Sequence, residues 1–202
     1  MTKTNESKSY ESSKLIAAFG EDPYHRAVIG GLIQRISKEV DVVTRTQWHN
    51  AFGGYGRVVR EMKQYVRYVR SRAIFPDLIV VVTDANCKGY NARYKNLSVD
   101  RNFVPPIVCA IPDPHVEHWL LLDGKAFKKI FGQGFQTPKR NKCERDFYKK
   151  VLSDAYINTK ADLRIGGIEC AKKIVSEMNL KRAAMNDSSL QKFLDDLRQA
   201  LK

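Results

Sequence analysis

Glu21, Asp84, Asn86 and Glu117 are the residues whose types and settings suit chemistry on a phosphate ester. Asp84 and Asn86 close the stretch LIVVVTDAN, in which six consecutive apolar or hydroxyl side chains run into an aspartate, a small residue and an asparagine. Side chains two apart in an extended segment project from the same face, so carboxylate and amide are expected to converge on one ion or one substrate atom. Glu21 and Asp22 follow the apolar run KLIAAFG, and Asp113 follows PIVCAI, with Glu117 one turn into the next expected helix. Such oxygen ligands suit Mg²⁺ or Mn²⁺, hard cations that bind a few carboxylates while retaining water and substrate phosphate oxygens. Simpler tasks suit the same residues. Asp22 before Pro23 and Asp113 before Pro114 are of the type that caps helices. Asn86 can turn the chain through an Asx bond, and Glu117 can pair with a nearby cation.

The charge balance says what such a site would act on. The chain carries 35 Lys and Arg against 22 Asp and Glu, a net +13, which points to a polyanionic partner and to nucleic acid first. The cations are clustered: Arg57, Arg60, Lys63, Arg67, Arg70 and Arg72 crowd one expected helix, interleaved with Tyr65 and Tyr68, and Lys139, Arg140, Lys142 and Arg145 crowd a later stretch. Clustering favours phosphate contact. The turn HNAFGGYG leads into the first cluster, and glycines there let backbone N–H groups approach an anion. It lacks the Lys-Ser/Thr pair of a P-loop and the spacing of a dinucleotide fingerprint, so it reads as a structural turn with Arg57 and Arg60 behind it. No GxSxG elbow is present to support a serine hydrolase. His115 and His118 are three apart, and Cys87, Cys109, Cys143 and Cys170 form no CxxC pair, which is too little for zinc. The cysteines are expected to be reduced thiols of a cytoplasmic protein. No segment approaches the roughly 20 apolar residues of a membrane span, and the polar opening MTKTNESKSYESS has no apolar signal region.

The elements that must position these residues alternate. KLIAAF reads as a strand, Pro23 to Glu39 as a helix with apolar residues at helical spacing, and Val40 to Trp48 as a second strand. A helix over 57–72, the strand of the opening stretch, a short weak helix around 92–97 and a strand over 106–111 follow. Nearly continuous apolar strands separated by helices describe an α/β fold, a mostly parallel four-stranded sheet with helices on both faces. Beyond it, a helix and a second short one are expected from Val116 to Phe131. Helices are then expected over 144–156, 161–179 and 188–201, the last capped by Ser188 or Ser189. The organisation expected is a polar lead-in over 1–13, an α/β domain over 14–135 and a C-terminal helical extension over 136–202 packed on it. Ligands of such sheets collect beyond the carboxyl ends of the strands, where the acidic residues stand.

Three stretches together resemble Toprim-like proteins, the topoisomerase/primase catalytic fold: AAFGEDPYH, VVTDAN, and AIPDPHVEHWLLLDGKAFKKIFG. The likeness is greatest to a bacterial branch of small proteins associated with phage defence, and it is most specific from Pro114 through Asp123. It implies Mg²⁺-dependent phosphodiester cleavage of DNA or RNA, a nuclease effector of antiviral defence acting with an ATPase partner. By position, Glu21 is the family's strand-ending glutamate, Asp84 its first third-strand aspartate and Asn86 its second, here an amide. Glu21, Asp84 and Asn86 would be the metal ligands, with Glu21 as an alternative general base. Glu117 would be auxiliary, and His25, His115 or Arg57 would lie near the scissile phosphate. Asp22 replaces the glycine that usually follows the glutamate. An amide brings no charge, so metal affinity is expected to fall unless Asp22, Asp113 or Glu117 compensates. Arg57, Arg60, Lys63, Arg67, Lys139, Arg140 and Lys142 would hold the nucleic acid. Two other classes fit the same residues: a noncatalytic nucleic-acid-binding or adaptor subunit with a degenerate metal site, and an enzyme acting on nucleotides or another small phosphoester.

Overall fold

The computed structural model describes residues 13–97, 105–135, 143–144, 146–159 and 167–202. Lys139, Arg140, Lys142 and Arg145 of the second basic stretch lie outside them, as does the lead-in up to residue 12. The chain folds as α/β. Strands β1 (Lys14–Gly20), β2 (Thr44–Asn50), β3 (Leu78–Val82) and β4 (Ile107–Ala110) form one sheet in the order β2-β1-β3-β4, and every pairing is parallel.

The central strands read as continuous apolar runs because both faces of the sheet are covered. All five residues of β3 are buried. Ile16, Ala18, Leu78, Val80 and Val82 face one cluster, which contains the inner side of helix α1 (Pro23–Glu39). Ala17, Phe19, Ile79 and Val81 face the other, with Val58, Met62 and Val69 of α2 (Tyr55–Arg72) and Leu97 of α3 (Tyr90–Leu97).

The remaining helices among the described residues are α4 (Val116–Leu120), α5 (Gly124–Phe131), α6 (Phe147–Ile157), α7 (Ile168–Glu177), α8 (Leu180–Met185) and α9 (Ser188–Leu201). All six contribute to the α1-side cluster. The C-terminal helices therefore share a core with the sheet. Among the described residues, no helix is long and apolar enough to cross a membrane.

Several boundaries differ from the sequence reading. β2 begins at Thr44, because Val40 closes α1 and Asp41 turns the chain at φ 55°. Val40 and Asp41 are a turn, and Val42 and Val43 link it to the strand without belonging to it. The expected helix over 161–179 is described only as α7, and α8 appears where none was expected. α9 is capped by Asp187, whose carboxylate accepts from Leu190 N–H at 2.7 Å. Ser189 instead donates to Asp187 at 2.5 Å and accepts from the Trp119 indole N–H at 3.0 Å.

A linked set of polar interactions fastens the C-terminal helices to the segment Pro114–Asp123. Trp119 reaches Ser189, and His118 Nδ1 lies 3.3 Å from Asp187 Oδ2. Asp123 caps α5 and also accepts from Asn179 N–H at 2.8 Å and from Arg182. Burial works against ionisation of Asp123, but these donors hold its carboxyl below its ordinary value.

α1 meets α7 at Gly31, where a Cβ would lie 2.9 Å from Val175 Cγ1. Val175 is β-branched, buried and stiff, so it yields poorly. Alanine at position 31 gains about 1 kcal/mol in helix propensity and suffers overpacking of about 1–3 kcal/mol. Gly31→Ala is expected to lower the urea midpoint at unchanged m-value. Adding Val175→Ala to it is expected to lower stability by less than the sum of the single changes.

Candidate functional site

The sheet order reverses between β1 and β3, which makes the crevice beyond their carboxyl ends the switch point where ligands of such sheets bind. Glu21 follows β1 directly, and Asp84 lies two residues past β3. The Thr83 hydroxyl joins the two strand ends by donating to Glu21 Oε1 at 2.9 Å. Beyond β3 the chain stays beside the β4–α4 connection: Ala85 N–H donates to Pro112 O at 2.8 Å and Asn86 N–H to Pro114 O at 3.0 Å. Arg93 braces this loop, with its guanidinium 3.4 Å from Ala85 O and 4.1 Å from the centroid of the Tyr55 ring.

Asp84 is the centre of the cluster. Its Oδ1 accepts from Val116 N–H at 3.0 Å and lies 3.2 Å from His25 Nε2, while its Oδ2 lies 3.5 Å from His115 Nδ1. Burial alone would raise the Asp84 carboxyl, but the charge of His25 and the hydrogen bond of His115 hold it below its ordinary value. Burial would likewise lower His25; Asp84, then Asp22 and Glu21, override it and raise His25 to about 9. His115 is raised chiefly by its bond to Asp84. Glu117 has the opposite setting: burial, then the nearby Asp84 charge, raises its carboxyl. The site therefore sets side by side two carboxyl groups whose surroundings push them in opposite directions, Asp84 toward and Glu117 away from ionisation.

Asp84, Asn86, His115 and Glu117 line one cleft of about 250 Å³ with Asp146 and Lys149 of the α6 amino end. Asp84 and Asn86 thus line one cleft, but not through the extended geometry expected of them. β3 ends at Val82, and Asn86 has φ 48° and Cys87 φ 62°, so a left-handed turn rather than an extended strand brings them together. Glu21 is not among the residues lining that cleft. It stands over the neighbouring strand end, toward the glycine turn, where a Cβ on Gly54 would lie 4.0 Å from Glu21 Oε2.

Other candidates have structural tasks. Asp22 caps α1 by accepting from His25 N–H at 2.8 Å. Asp113 accepts from Tyr90 N–H at 2.9 Å, so it holds the start of α3 and not that of α4. His118 turns inward to Asp187. Arg57 pairs with Glu61 at 2.7 Å, while Arg60, Lys63 and Arg67 are exposed along the outer face of α2. Cys87 is joined to Cys143 by a disulfide, with Cα atoms 5.4 Å apart. This corrects the expectation of four reduced thiols; a separation of 56 residues concealed that the two segments meet beside the site. Cys109 and Cys170 are free and buried. Sequence reasoning missed Thr83, Asp146 and Lys149, because only the docking of α6 brings the last two to the strand ends.

Among the described residues, no three His, Cys, Asp or Glu side chains form a group that could hold a metal ion by themselves. The donors present are hard oxygens, the Glu21 and Asp84 carboxylates and the Asn86 amide. Glu21 stands outside the cleft that Asp84 and Asn86 line, so an ion held by these oxygens would take most of its ligands from water and a substrate phosphate, in the manner of Mg²⁺, rather than from a closed protein cage.

The His25–Asp84 pair makes stability depend on pH. A histidine raised from 6.5 to about 9 stabilises the fold fully below pH 6.5 and loses that contribution as pH rises through 9. Asp84, held low, contributes above its ordinary value of 3.8 and loses this as pH falls. Stability is expected to be greatest between about pH 4 and 6.5 and to fall toward pH 9. NMR titration is expected to find the His25 imidazolium still protonated at neutral pH, and Asp84→Asn is expected to abolish that.

Comparison with models of protein families, with curated proteins and with solved structures finds nothing that matches this chain.

Proposed function

We propose that this protein cleaves phosphodiester bonds of nucleic acid in the crevice beyond β1 and β3, with Mg²⁺ or Mn²⁺. The observation that carries this reading is the pairing of Glu21 and Asp84 at the switch point of the sheet, tied together through Thr83. Glu21, Asp84 and Asn86 would hold the ion, which when bound supplies charge stabilisation to the non-bridging oxygens and a more acidic water. Glu117, whose carboxyl is raised by burial and by Asp84, is suited to donate a proton to the leaving oxygen. His115 and Lys149 face the same cleft and can take the phosphate charge. Arg60, Lys63 and Arg67 run along α2, which begins at the glycine turn beside Glu21, and would carry the strand away from the site. The likeness to defence-associated Toprim-like proteins agrees with this reading and supplies the idea of an ATPase companion.

A second reading has its own observation. Both carboxylate oxygens of Asp84 already face imidazoles raised toward the charged form. This favours a noncatalytic nucleic-acid-binding subunit in which Asp84 is an anchor.

Incubating the protein with supercoiled plasmid and with structured RNA, in Mg²⁺, Mn²⁺ or EDTA, separates the readings. Metal-dependent cutting is expected, and Glu117→Gln is expected to slow it about 10²–10⁴-fold while leaving binding intact. Binding without cutting, and without Mg²⁺ uptake by calorimetry, would establish the anchor reading instead. Replacing Arg60, Lys63 and Arg67 together by glutamine is expected to reduce the log–log salt slope of duplex binding by about 2.7, roughly 0.9 for each phosphate that is no longer neutralised.

A further inference from the structure

A second and larger cavity, of about 690 Å³, adjoins the cleft that holds Asp84. Glu117, Asp146 and Lys149 line both, so one ligand can reach from one into the other. Its walls come from the amino ends of α1 and α7, with Pro23, Tyr24 and Ile168, and from the middle and carboxyl end of α6, with Leu152 and Tyr156. A volume of this size lies within the range of small-molecule sites, roughly 300–1,000 Å³, and a phosphate alone would leave most of it empty.

Two polar groups of this cavity, the hydroxyls of Tyr24 and Tyr156, have hydrogen-bonding capacity to spare. Tyr156 is only 4 % exposed, and its hydroxyl and that of Tyr24 have no hydrogen-bond partner among the described residues besides each other. The two phenols influence one another's acidity. Even where one hydroxyl donates to the other, the second retains its own proton to give, because each carries one donor and two lone pairs. A buried hydroxyl without a partner is costly. These are held in place, since the Tyr156 ring packs against Phe127 and Phe131 and a Cβ on Gly167 would lie 3.0 Å from it. Ser153 is an exposed residue of the lining, and Lys149 and Lys150 stand there with four carboxyl groups, those of Asp22, Glu117, Asp146 and Asp154. Walls of mixed sign with apolar floors do not suit a second polyanion. They suit a flat, neutral group that both donates and accepts hydrogen bonds.

We propose that this cavity takes the nucleoside of the substrate, base and sugar together, while its phosphate lies in the cleft with Asp84. The inference rests on the phosphodiester reading and narrows it: the nucleotide acted on is a strand end, an unstacked residue or a free nucleotide, not one stacked inside an intact duplex.

Calorimetry of the full chain with AMP, and with inorganic phosphate alone, tests this. AMP is expected to bind more tightly than phosphate. Tyr156→Phe, which keeps the ring, is expected to weaken AMP about two- to tenfold and leave phosphate unchanged. Ser153→Trp, at an exposed position of α6, is expected to abolish AMP binding without moving the thermal midpoint. A single strand ending in 2-aminopurine distinguishes the sources. If its fluorescence brightens on binding to wild type and not to Ser153→Trp, the occupant belongs to a strand; AMP binding without brightening assigns it to a free nucleotide. Equal affinity for AMP and phosphate, absent AMP binding, or AMP binding untouched by Ser153→Trp overturns the proposal. Should strand cleavage persist in that case, the phosphodiester reading survives alone. AMP binding with no cleavage of any strand does the reverse.

Discussion

A carboxylate buried at the end of a parallel strand must be given donors, and Asp84 draws its donors from two separate parts of the chain. His25 comes from the first turns of α1, and His115 and the Val116 N–H come from the connection between β4 and α4. Desolvation of a charge is expensive unless it is paired and hydrogen-bonded. The position of α1 against the sheet, the path of the β4–α4 connection and the ionisation of Asp84 are therefore one condition rather than three. Glu117 feels the consequence: its own burial, and then the aspartate kept charged beside it, raise its carboxyl.

The stretch Pro114–Asp123 has two duties that its residues divide. His115, Val116 and Glu117 serve the Asp84 cluster. His118, Trp119 and Asp123 turn the other way and fasten α8 and α9 by way of Asn179, Arg182, Asp187 and Ser189. A helix of five residues cannot do this by propensity; buried partners on both sides hold it. Through this element the C-terminal helices, remote in sequence, reach the cleft, and α6 presents Lys149 and Asp146 to it.

Much of the fold was legible because its signals are local. Five consecutive buried residues in β3 declare a two-sided parallel strand. Pro23 after Asp22 declares a helix start, and Asp22 does cap α1. The reading failed where a local signal competed with a tertiary one. The β-branched residues over 40–43 suggest strand, yet Asp41 at φ 55° turns the chain among them. Ser188 and Ser189 look like caps, but Ser189 is drawn inward to Trp119 and Asp187 does the capping. Asp113 sits before a proline and a helix and serves a different helix altogether.

By itself the sequence determined the alternation of strands and helices, the carboxylates at strand ends and the basic stripe of α2, because each depends on the spacing of neighbouring side chains. Tertiary structure alone decided the strand order β2-β1-β3-β4, which sets the ends of β1 and β3 side by side. It also decided that Asp84 meets two histidines, that Cys87 meets Cys143, and that Tyr24 and Tyr156 share a cavity beside Glu117. These meetings join residues tens of positions apart or more. Burial of apolar faces brings them together, and that force is proportional to area and carries no mark in the local sequence.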